Sequence, residues 1–543
     1  MLDHILSIMV FLPLIGALLI AAIPKEQSAY FRVVSLIVMS LELLFALILV
    51  FNFDSTIKGY GSSSLQFVEK LSWIDMDIGA MGSISIKYFL AVDGLNIILV
   101  LLSALVLLVG VISSWNITES AKGYFILYLV LSTSVIGCFV AIDMFLFFLF
   151  FEFMLLPMYF LIGIWGGKNR AYASLKFYIY TLFGSLLILM VMIGLSLSVV
   201  ETPGGAVHTF DIMKMMNNSN FVPDSILSIS SNEQFLGVNV RMLSFLLICL
   251  GFAIKLPAVP LHTWLPDAHV EAPTPISVVL AGVLLKVGGY GFFRLGYTIF
   301  PEMAQALTWW IALFGVIAIV YAALVAMAQS DLKRLIAYSS VSHMGFVMLG
   351  LASLTVTGNA GAIFQMFSHG IISALLFLLV GVIYDRTGNR EIGSFSGLAS
   401  KMPRYTVAIL ISFFAALGLP GLSGFIAEFL VLLGAFDAYA SGSGIMLFMP
   451  ILGLLGLVLG AAYFLWTLQR MFFGEYGVKN QSWELPDLTV RELIMVVPLL
   501  ILTILFGVFP SLLLDLSNET IVGFIEYIQS QGNINSALIH GAH

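Results

Sequence analysis

Long apolar segments alternate with short polar connections along the whole chain. About 20 consecutive apolar residues are needed to cross the hydrocarbon core of a bilayer as an α-helix. The first segment, MLDHILSIMVFLPLIGALLI, lacks the basic n-region and the cleavage site of a signal peptide, so we interpret it as a span. The pattern predicts about fourteen spans, at residues 4–23, 30–52, 90–113, 122–140, 143–165, 173–200, 242–269, 273–299, 305–328, 333–352, 360–385, 404–438, 445–472 and 490–515.

Two of these spans, 242–269 and 404–438, contain clustered proline and glycine near their centres. Proline removes a backbone donor and blocks a helical turn, so both segments are predicted to be broken helices. The composition supports this architecture, because 60% of the residues are hydrophobic and only 10% are charged. Soluble domains contain roughly a quarter charged residues. The predicted fold class is therefore an all-α polytopic membrane protein.

The order of the spans predicts an internal repeat. Residues 122–299 and 305–472 each contain five spans, and in both the fourth span is a broken one. An odd number of spans starts the second copy from the opposite side of the membrane, which is the inverted-repeat plan of many ion-coupled transporters. Residues 1–121 would hold the first three spans, and residues 473–543 the last span and a tail. No role is predicted for the connections 53–89 and 201–241 or for that tail.

The basic residues predict the orientation of the chain. With the N-terminus outside, fifteen of the 23 Lys and Arg residues fall in the inside loops. The outside loops carry six: Lys58, Lys70, Lys87, Lys214, Arg241 and Arg294. An excess of Lys and Arg marks the cytoplasmic side, so both termini are predicted to lie outside. The remaining two basic residues, Lys255 and Lys286, fall within spans.

Six ionisable residues are predicted to lie at bilayer depth. They occur in the segments LFFEFMLLPMYF, GFAIKLPAVP, AGVLLKVGGYG, AYSSVSHMGF, QMFSHG and GLPGLSGFIAEF, as Glu152, Lys255, Lys286, His343, His369 and Glu428. A charged group at this depth costs at least about 2.5–3.5 kcal/mol, so it is normally functional or paired. Lys255 directly precedes the first helix break, and Glu428 follows the second.

This set of side chains is suited to proton transfer. Burial makes a lysine release its proton more readily, a nearby carboxylate opposes release, and histidine titrates near neutral pH. Structural alternatives exist for each residue. Glu152 and Lys255 could form a static ion pair, Lys286 could extend to the interface, the histidines could be neutral core residues, and Glu428 could cap a helix. Glu42, in span two, could instead contact lipid or another subunit.

Little in the sequence supports a redox centre, a nucleotide site or a metal site on this chain. The two cysteines, Cys138 and Cys249, lie in separate apolar segments, and neither a P-loop nor a strand followed by GxGxxG occurs. The run His262, Asp267, His269 and Glu271 is broken up by prolines, so it predicts a polar network at a helix end rather than a metal site. We expect no redox centre, nucleotide or metal on this chain.

The same segments carry a family resemblance. The stretch KLPAVPLHTWLPDAHVEAPTPISVVLAGVLLKVGGYGFFR resembles the antiporter-like subunits of respiratory complex I, the NADH:quinone oxidoreductase, and so do VDGLN, DLKRLIAYSSVSHMGFVMLG and GLPGLSGFIAEF. The resemblance covers residues 90–475. Among these subunits it is greatest to the bacterial M type, because Glu428 stands where the L and N types are expected to have lysine, and no long lateral helix follows the last span.

The resemblance implies a site and a setting. Glu152 would modulate Lys255, Lys286 would be the central relay, His343 and His369 would connect it across the membrane, and Glu428 would be the terminal group. NAD, FMN, iron–sulfur clusters and quinone would belong to partner subunits. Neighbours would be L-type and N-type subunits in a bacterial inner membrane, with both termini periplasmic and no nucleic acid bound.

Three alternatives to this function stay open at this point. The same fold type is expected in multi-chain cation/proton antiporters and membrane-bound hydrogenases, although Glu428 in place of lysine disfavours them. A stand-alone solute transporter would be active when purified alone. A purely structural scaffold fits poorly with charges buried on several helices.

Overall fold

The computed structural model describes residues 2–79, 82–231 and 233–540, with side chains described to residue 531. Among these residues, 13 helices are long and apolar enough to cross a membrane. The helices are α1 (Ile5–Ala22), α2 (Ser28–Phe51), α3 (Ile97–Ser113), α4 (Ala121–Val140), α5 (Met144–Phe153), α6 (Leu155–Trp165), α7 (Arg170–Ser198), α8 (Ile212–Met215), α9 (Val240–Lys255), α10 (Trp264–Glu271), α11 (Thr274–Val279), α12 (Leu285–Gly291), α13 (Pro301–Ala306), α14 (Thr308–Met327), α15 (Leu332–Ala352), α16 (Val356–Thr387), α17 (Pro403–Ala416), α18 (Ser423–Ala440), α19 (Phe448–Phe472), α20 (Val490–Val508) and α21 (Ser511–His540).

The helical fold class is confirmed, and both predicted breaks are present. Residues 256–263 separate α9 from α10, and residues 417–422 separate α17 from α18. The count of fourteen spans, the repeat and the boundaries at 121, 299 and 472 stay predictions. The last three residues of the predicted tail lie outside the described part of the chain.

Two helical crossings form the centre of the molecule. One runs over Thr274–Tyr297 and the other over Val356–Thr387, and both are buried along their whole apolar length. The first crossing contains two π-helical turns, Leu280–Leu284 and Phe292–Tyr297, on either side of α12. By contrast, α1, α2, α7 and α19 each present large apolar side chains outward, as expected of helices that face lipid.

The connection 53–89, which we predicted only as a polar loop, contains a β-hairpin. Strands β1 (Gln66–Asp77) and β2 (Ser83–Val92) pair antiparallel, and β3 (Val207–Thr209) extends the sheet in parallel with β2. Two further pairs of short strands are β4 (Gln234–Phe235) with β5 (Val238–Asn239), and β6 (Phe395–Ser396) with β7 (Gly477–Val478). We call the side of the bundle that carries β1–β3 the hairpin face.

The tail also has structure that the sequence analysis did not predict. Helix α21 lies along the hairpin face, packed mainly on α13, α16 and α3. The Tyr527 hydroxyl oxygen lies 2.8 Å from the carbonyl oxygens of Met216 and Thr298, which share its single donor proton, and the Gly94 backbone nitrogen donates to the Thr520 hydroxyl at 3.1 Å. These contacts join the end of the chain to three earlier segments.

Three basic residues that we assigned to loops are buried in the structure. Arg241 and Arg294 are at most 2% exposed, and Lys333 is 4% exposed. The assignment to loops was wrong. These side chains can be buried because each has a polar partner close to the end of its helix. Arg241 binds Glu302, Arg294 binds Asp93, and Lys333 donates to a backbone carbonyl.

Candidate functional site

Lys286 lies at the centre of the bundle. It is fully buried on α12, between the two π-helical turns. The first of these turns shifts the backbone pairing, and the Lys286 ammonium donates to the carbonyl oxygen of Ala281. π-Helical turns occur often at functional sites. Lys286 Nζ also lies 2.8 Å from His369 Nδ1 on α16.

Two histidines and a glutamate continue from Lys286. The rings of His369 and His343 are 5.4 Å apart between centroids. His343 Nδ1, on α15, lies 3.1 Å from Glu428 Oε1 and 3.4 Å from Gln365 Nε2. The structure therefore brings together four of the six predicted residues in one continuous row, and adds Gln365, which the sequence analysis did not select.

A small cavity lies along this row. The cavity has a volume of about 10 Å³, and its walls include His343, His369 and Glu428. A volume of roughly 10–15 Å³ is enough for one water molecule when polar partners surround it. Two buried polar atoms here, His369 Nε2 and Glu428 Oε2, have no hydrogen-bond partner among the described residues. The cavity thus has both the room and the polar partners for a bridging water.

The second helix break positions Glu428. Gly418 and Gly421 adopt φ angles of +77° and +91°, which turn the chain between α17 and α18. Glu428 lies in the second turn of α18, near the positive end of the helix dipole. Its Oε2 atom would lie only 2.6 Å from a Cβ atom at position 418. Glycine at 418 therefore serves both the turn and the space that the carboxylate occupies.

Lys255 and Glu152 form a separate part of the site. The Lys255 ammonium lies over the aromatic rings of Phe151 and Phe177, at 5.0 and 5.8 Å from their centroids. The Lys255 ammonium and one carboxylate oxygen of Glu152 are buried without hydrogen-bond partners in the described chain. Glu152 is close enough for its charge to act on Lys255. No direct hydrogen bond joins Glu152 to Lys255 in the described chain, and their functional pairing stays a prediction.

The first helix break keeps Lys255 beside the central helix. Trp264 Nε1, on α10, donates a 2.9 Å hydrogen bond back across the break to the carbonyl oxygen of Ile254. A Cβ atom at Gly288 would lie 2.6 Å from the Leu256 backbone nitrogen, so the backbones of α9 and α12 are in close contact there. Lys255 therefore lies at the C-terminal end of α9, where a cation is favourable, next to the helix that carries Lys286.

The run from His262 to Glu271 does not converge on a metal. Asp267 binds Lys176 at 2.7 Å and Arg334 at 3.1 Å, and Glu271 accepts a hydrogen bond from the Asn169 backbone. His269 stacks on Phe377, with 4.4 Å between ring centroids. No group of three His, Cys, Asp or Glu residues in the described ranges is placed to hold a metal ion. Asp267 and Glu271 thus belong to a polar network at a helix end, whereas His269 is packed against an aromatic ring.

Glu42 is more deeply buried than expected of a residue that contacts lipid or another subunit. It is 0% exposed on α2, and neither carboxylate oxygen has a hydrogen-bond partner in the described chain. Helix α2 packs on α1, α3 and α4, away from the row that starts at Lys286. Glu42 is therefore enclosed by helices of its own chain and does not face lipid or another subunit, as we had considered.

Comparisons with known proteins agree with the geometry. Residues 141–456 match the family described as NADH:quinone oxidoreductase/Mrp antiporter, TM. The chain is 41% identical over 530 residues to NADH-quinone oxidoreductase subunit M of Rhodobacter capsulatus, covering 96% of this chain and 97% of the relative. It is 39% identical over 477 residues to F(420)H(2) dehydrogenase subunit M of Methanosarcina mazei, with 87% and 89% coverage.

Solved structures show the same fold. A chain of respiratory complex I from Thermus thermophilus with bound NADH superposes with a TM-score of 0.78 at 29% identity, covering 96% of this chain and 99% of that one. A chain of the Mrp complex from Dietzia has a TM-score of 0.78 at 20% identity, with 98% and 99% coverage, which is a likeness of fold alone. The chain belongs to the NADH:quinone oxidoreductase/Mrp antiporter family, among relatives named subunit M of NADH-quinone oxidoreductase.

Proposed function

We propose that this chain translocates protons as the M-type membrane-arm subunit of NADH:quinone oxidoreductase. NADH oxidation through FMN and iron–sulfur clusters, and quinone reduction, take place on partner subunits in this proposal. L-type and N-type subunits are its neighbours in a bacterial inner membrane. The Lys and Arg bias supports a periplasmic position for the hairpin face, and with it for both ends of the chain.

The row Lys286–His369–His343–Glu428 carries the proposal. Each adjacent pair is within hydrogen-bonding distance, or is separated by one water-sized space. All four groups can gain and lose a proton, and the row has two imidazoles between one amine and one carboxylate.

The chemistry consists only of proton transfers. A protonated Lys286 donates to His369 Nδ1, and the opposite nitrogen of that ring releases its own proton towards His343, through water where the rings are too far apart. His343 donates to Glu428, which holds the proton for release at the hairpin face. Glu152 acts through Lys255: when the carboxylate moves away, the lysine loses electrostatic support, and its proton becomes available to the neighbouring helix.

Glu428→Gln and Lys286→Met in the assembled complex test the proposal. Both variants remove one proton-holding group while keeping a similar side-chain volume. We expect at least a tenfold loss of quinone turnover coupled to proton pumping in membrane vesicles, with unchanged NADH oxidation by a water-soluble electron acceptor. Glu391→Gln is the matched control, because Glu391 is a half-exposed partner of Lys479 on the surface. Normal pumping by both variants would refute the proposal.

Changing the cation in the assay medium distinguishes the proposed function from a cation/proton antiporter. Vesicles assayed in sodium and in potassium media should develop the same proton gradient when the transported ion is a proton. A gradient that requires sodium would instead support a cation/proton antiporter, the activity class of the Mrp complex whose fold this chain shares.

A further inference from the structure

Gln365 is a buried polar residue beside the central row that the proposed function does not use. It lies on α16, one helical turn before His369, and is 2% exposed. Residues four positions apart on a helix lie on the same face, so its amide is on the same side of α16 as His369. Gln365 also lines the small cavity that His343 and Glu428 share. Its amide therefore lies next to the last proton transfer of the row, from His343 to Glu428.

The amide of Gln365 and the carboxylate of Glu428 meet at the same ring nitrogen. Gln365 Nε2 lies 3.4 Å from His343 Nδ1, and Glu428 Oε1 lies 3.1 Å from that nitrogen. A ring nitrogen of histidine carries either a hydrogen, and then donates, or a lone pair, and then accepts, whereas an amide nitrogen only donates. The position of the proton between His343 and Glu428 thus decides whether the contact with Gln365 is a hydrogen bond.

The two positions of that proton are not equivalent for Gln365. When the proton is on Nδ1 of His343, the ring donates to Glu428, and its N–H faces the N–H of the amide, which is repulsive. When the proton is on Glu428, the lone pair of Nδ1 accepts from the carboxylic acid and from the amide. The amide N–H of Gln365 therefore stabilises the state in which Glu428 holds the proton.

The oxygen of the amide favours this orientation of the side chain. Gln365 Oε1 has no hydrogen-bond partner among the described residues, and neither has Glu428 Oε2. Both side chains line the cavity of about 10 Å³, which has room for one water molecule. A water there would donate one hydrogen to each of the two oxygens. The hydrogen bond to the amide would keep Oε1 on the cavity side, and so Nε2 towards His343.

From this geometry we infer that Gln365 is a positioning residue for the proton shared by His343 and Glu428, and that its amide N–H shifts this proton to Glu428. The transfer breaks one N–H bond on His343 and forms one O–H bond on Glu428, and no electrons move. Gln365 itself neither gains nor loses a proton. The inference deepens the proposed function and rests on it, because the proton on Glu428 is the one released at the hairpin face.

Gln365→Met in the assembled complex removes the amide and keeps a similar side-chain volume. The measurement is the infrared ratio of acid to ionised Glu428 at neutral pH, with the bands identified by their loss in Glu428→Gln. His369, Lys286 and Tyr463 also lie near this pair, and none of them has a carboxyl group. We expect the ratio to fall about two- to tenfold, the effect of one ordinary hydrogen bond, and coupled turnover per assembled complex to fall with it. An unchanged or higher ratio would overturn the inference.

Gln365→Asn separates the contact with His343 from the mere presence of an amide. Asparagine has the same amide group on a side chain shorter by one methylene, so its nitrogen lies too far from Nδ1 for a hydrogen bond. We expect the same fall in the acid ratio of Glu428 and in coupled turnover as in Gln365→Met. If the cavity only needs a polar group on its wall, asparagine should behave as the wild type, and that result would also overturn the inference.

The controls separate this inference from the proposed function. Gln329→Met makes the same chemical change at a half-buried position just after α14, where the amide donates to the Val325 carbonyl oxygen, and it should have no effect. If Glu428→Gln abolishes pumping while both Gln365 variants keep the wild-type ratio and turnover, the proposed function holds and the role of Gln365 is wrong. If Glu428→Gln pumps normally, the proposed function itself fails.

Discussion

Arg294 and Lys286 lie two turns apart in the same buried crossing, yet their surroundings differ. Arg294 Nη2 lies 2.7 Å from both carboxylate oxygens of Asp93, and the guanidinium also binds the hydroxyls of Tyr290 and Tyr60. Lys286 has a backbone carbonyl and an imidazole as partners, and no carboxylate. Both side chains are fully buried. Burial alone therefore does not distinguish a structural charge from a working one.

The same contrast holds between whole regions. Near the hairpin face, Arg241 binds Glu302 and two backbone carbonyls, and Lys70 binds Asp211 at 2.7 Å. Half-way across the bundle, Lys255 and Glu428 each retain a polar atom without a partner in the described chain. A charge whose partners are complete is held in one state. A charge with an open position can change its proton or its partner, which transport requires.

Asp93→Ala gives the largest expected effect. It leaves the Arg294 guanidinium buried without its carboxylate, and breaking a buried pair in this way costs about 3–5 kcal/mol. We expect little assembled complex in the membrane, as measured by native gel electrophoresis. The double variant Asp93→Leu with Arg294→Met removes both charges and should recover much of the assembly. Failure of the double variant to recover would show that the pair does more than balance charge.

Lys286→Met should leave assembly intact and lower coupled turnover, the opposite of what we expect for Asp93→Ala. It removes a charge that has no carboxylate partner, so no opposite charge is left exposed to the apolar interior. We expect assembly and thermal stability at or above the wild-type level, with coupled quinone turnover lowered at least tenfold. The melting temperature of the complex and its coupled quinone turnover are measured on the same preparation. A stability loss as large as that of Asp93→Ala would erase the distinction between the two regions.

The sequence was sufficient to predict the helices, both breaks and the buried positions of Lys255, Lys286 and Glu428, because each depends on local apolar length or on proline and glycine. It was not sufficient for partners. Arg294 and Lys333 lie close to predicted loops and were assigned to them, since the sequence does not show that Asp93 or the Ala272 carbonyl lies nearby in space.

The hairpin was missed for a different reason. The segment QFVEKLSWIDMD alternates apolar and polar residues for much of its length, which is a strand signal, but the polar content of 53–89 led us to interpret it as a loop. His269 was predicted to belong to a polar network at a helix end. It stacks instead on Phe377, which depends on how α10 and α16 pack and which no local pattern predicts.

Gly418→Ala should have an intermediate effect, and it acts on coupled turnover through the position of Glu428. A residue with a Cβ at φ +77° is strained by about 1–3 kcal/mol, and the added carbon would lie 2.6 Å from Glu428 Oε2. The carboxylate must move away from His343, so we expect a severalfold loss of coupled turnover. Gly442→Ala is the control, because Gly442 has a φ of +74° and no atom within 4 Å of the added Cβ. Equal losses in both variants would mean that backbone strain alone is responsible.

Asp143 gives the smallest expected effect, and it tests whether charges near the hairpin face are all fully satisfied. Asp143 caps α5 and accepts hydrogen bonds from the backbone nitrogens of Phe145, Leu146 and Lys87. Burial and, to a smaller extent, the nearby Asp211 raise the pKa of its carboxyl, the backbone hydrogen bonds lower it, and the net pKa is about 7. Since the unfolded pKa is about 3.9, the folded state binds the extra proton between these values.

The stability that this group contributes is therefore present at low pH, and it is lost as the pH rises towards 7. Asp143→Asn retains an acceptor for the helix cap but does not ionise. We expect its melting temperature to fall less than that of the wild type between pH 5 and pH 8, by a few degrees at most. Asp75→Asn, an exposed position on the same hairpin, should retain the wild-type pH dependence. An unchanged pH dependence in Asp143→Asn would place this carboxyl with the fully satisfied charges such as Asp93.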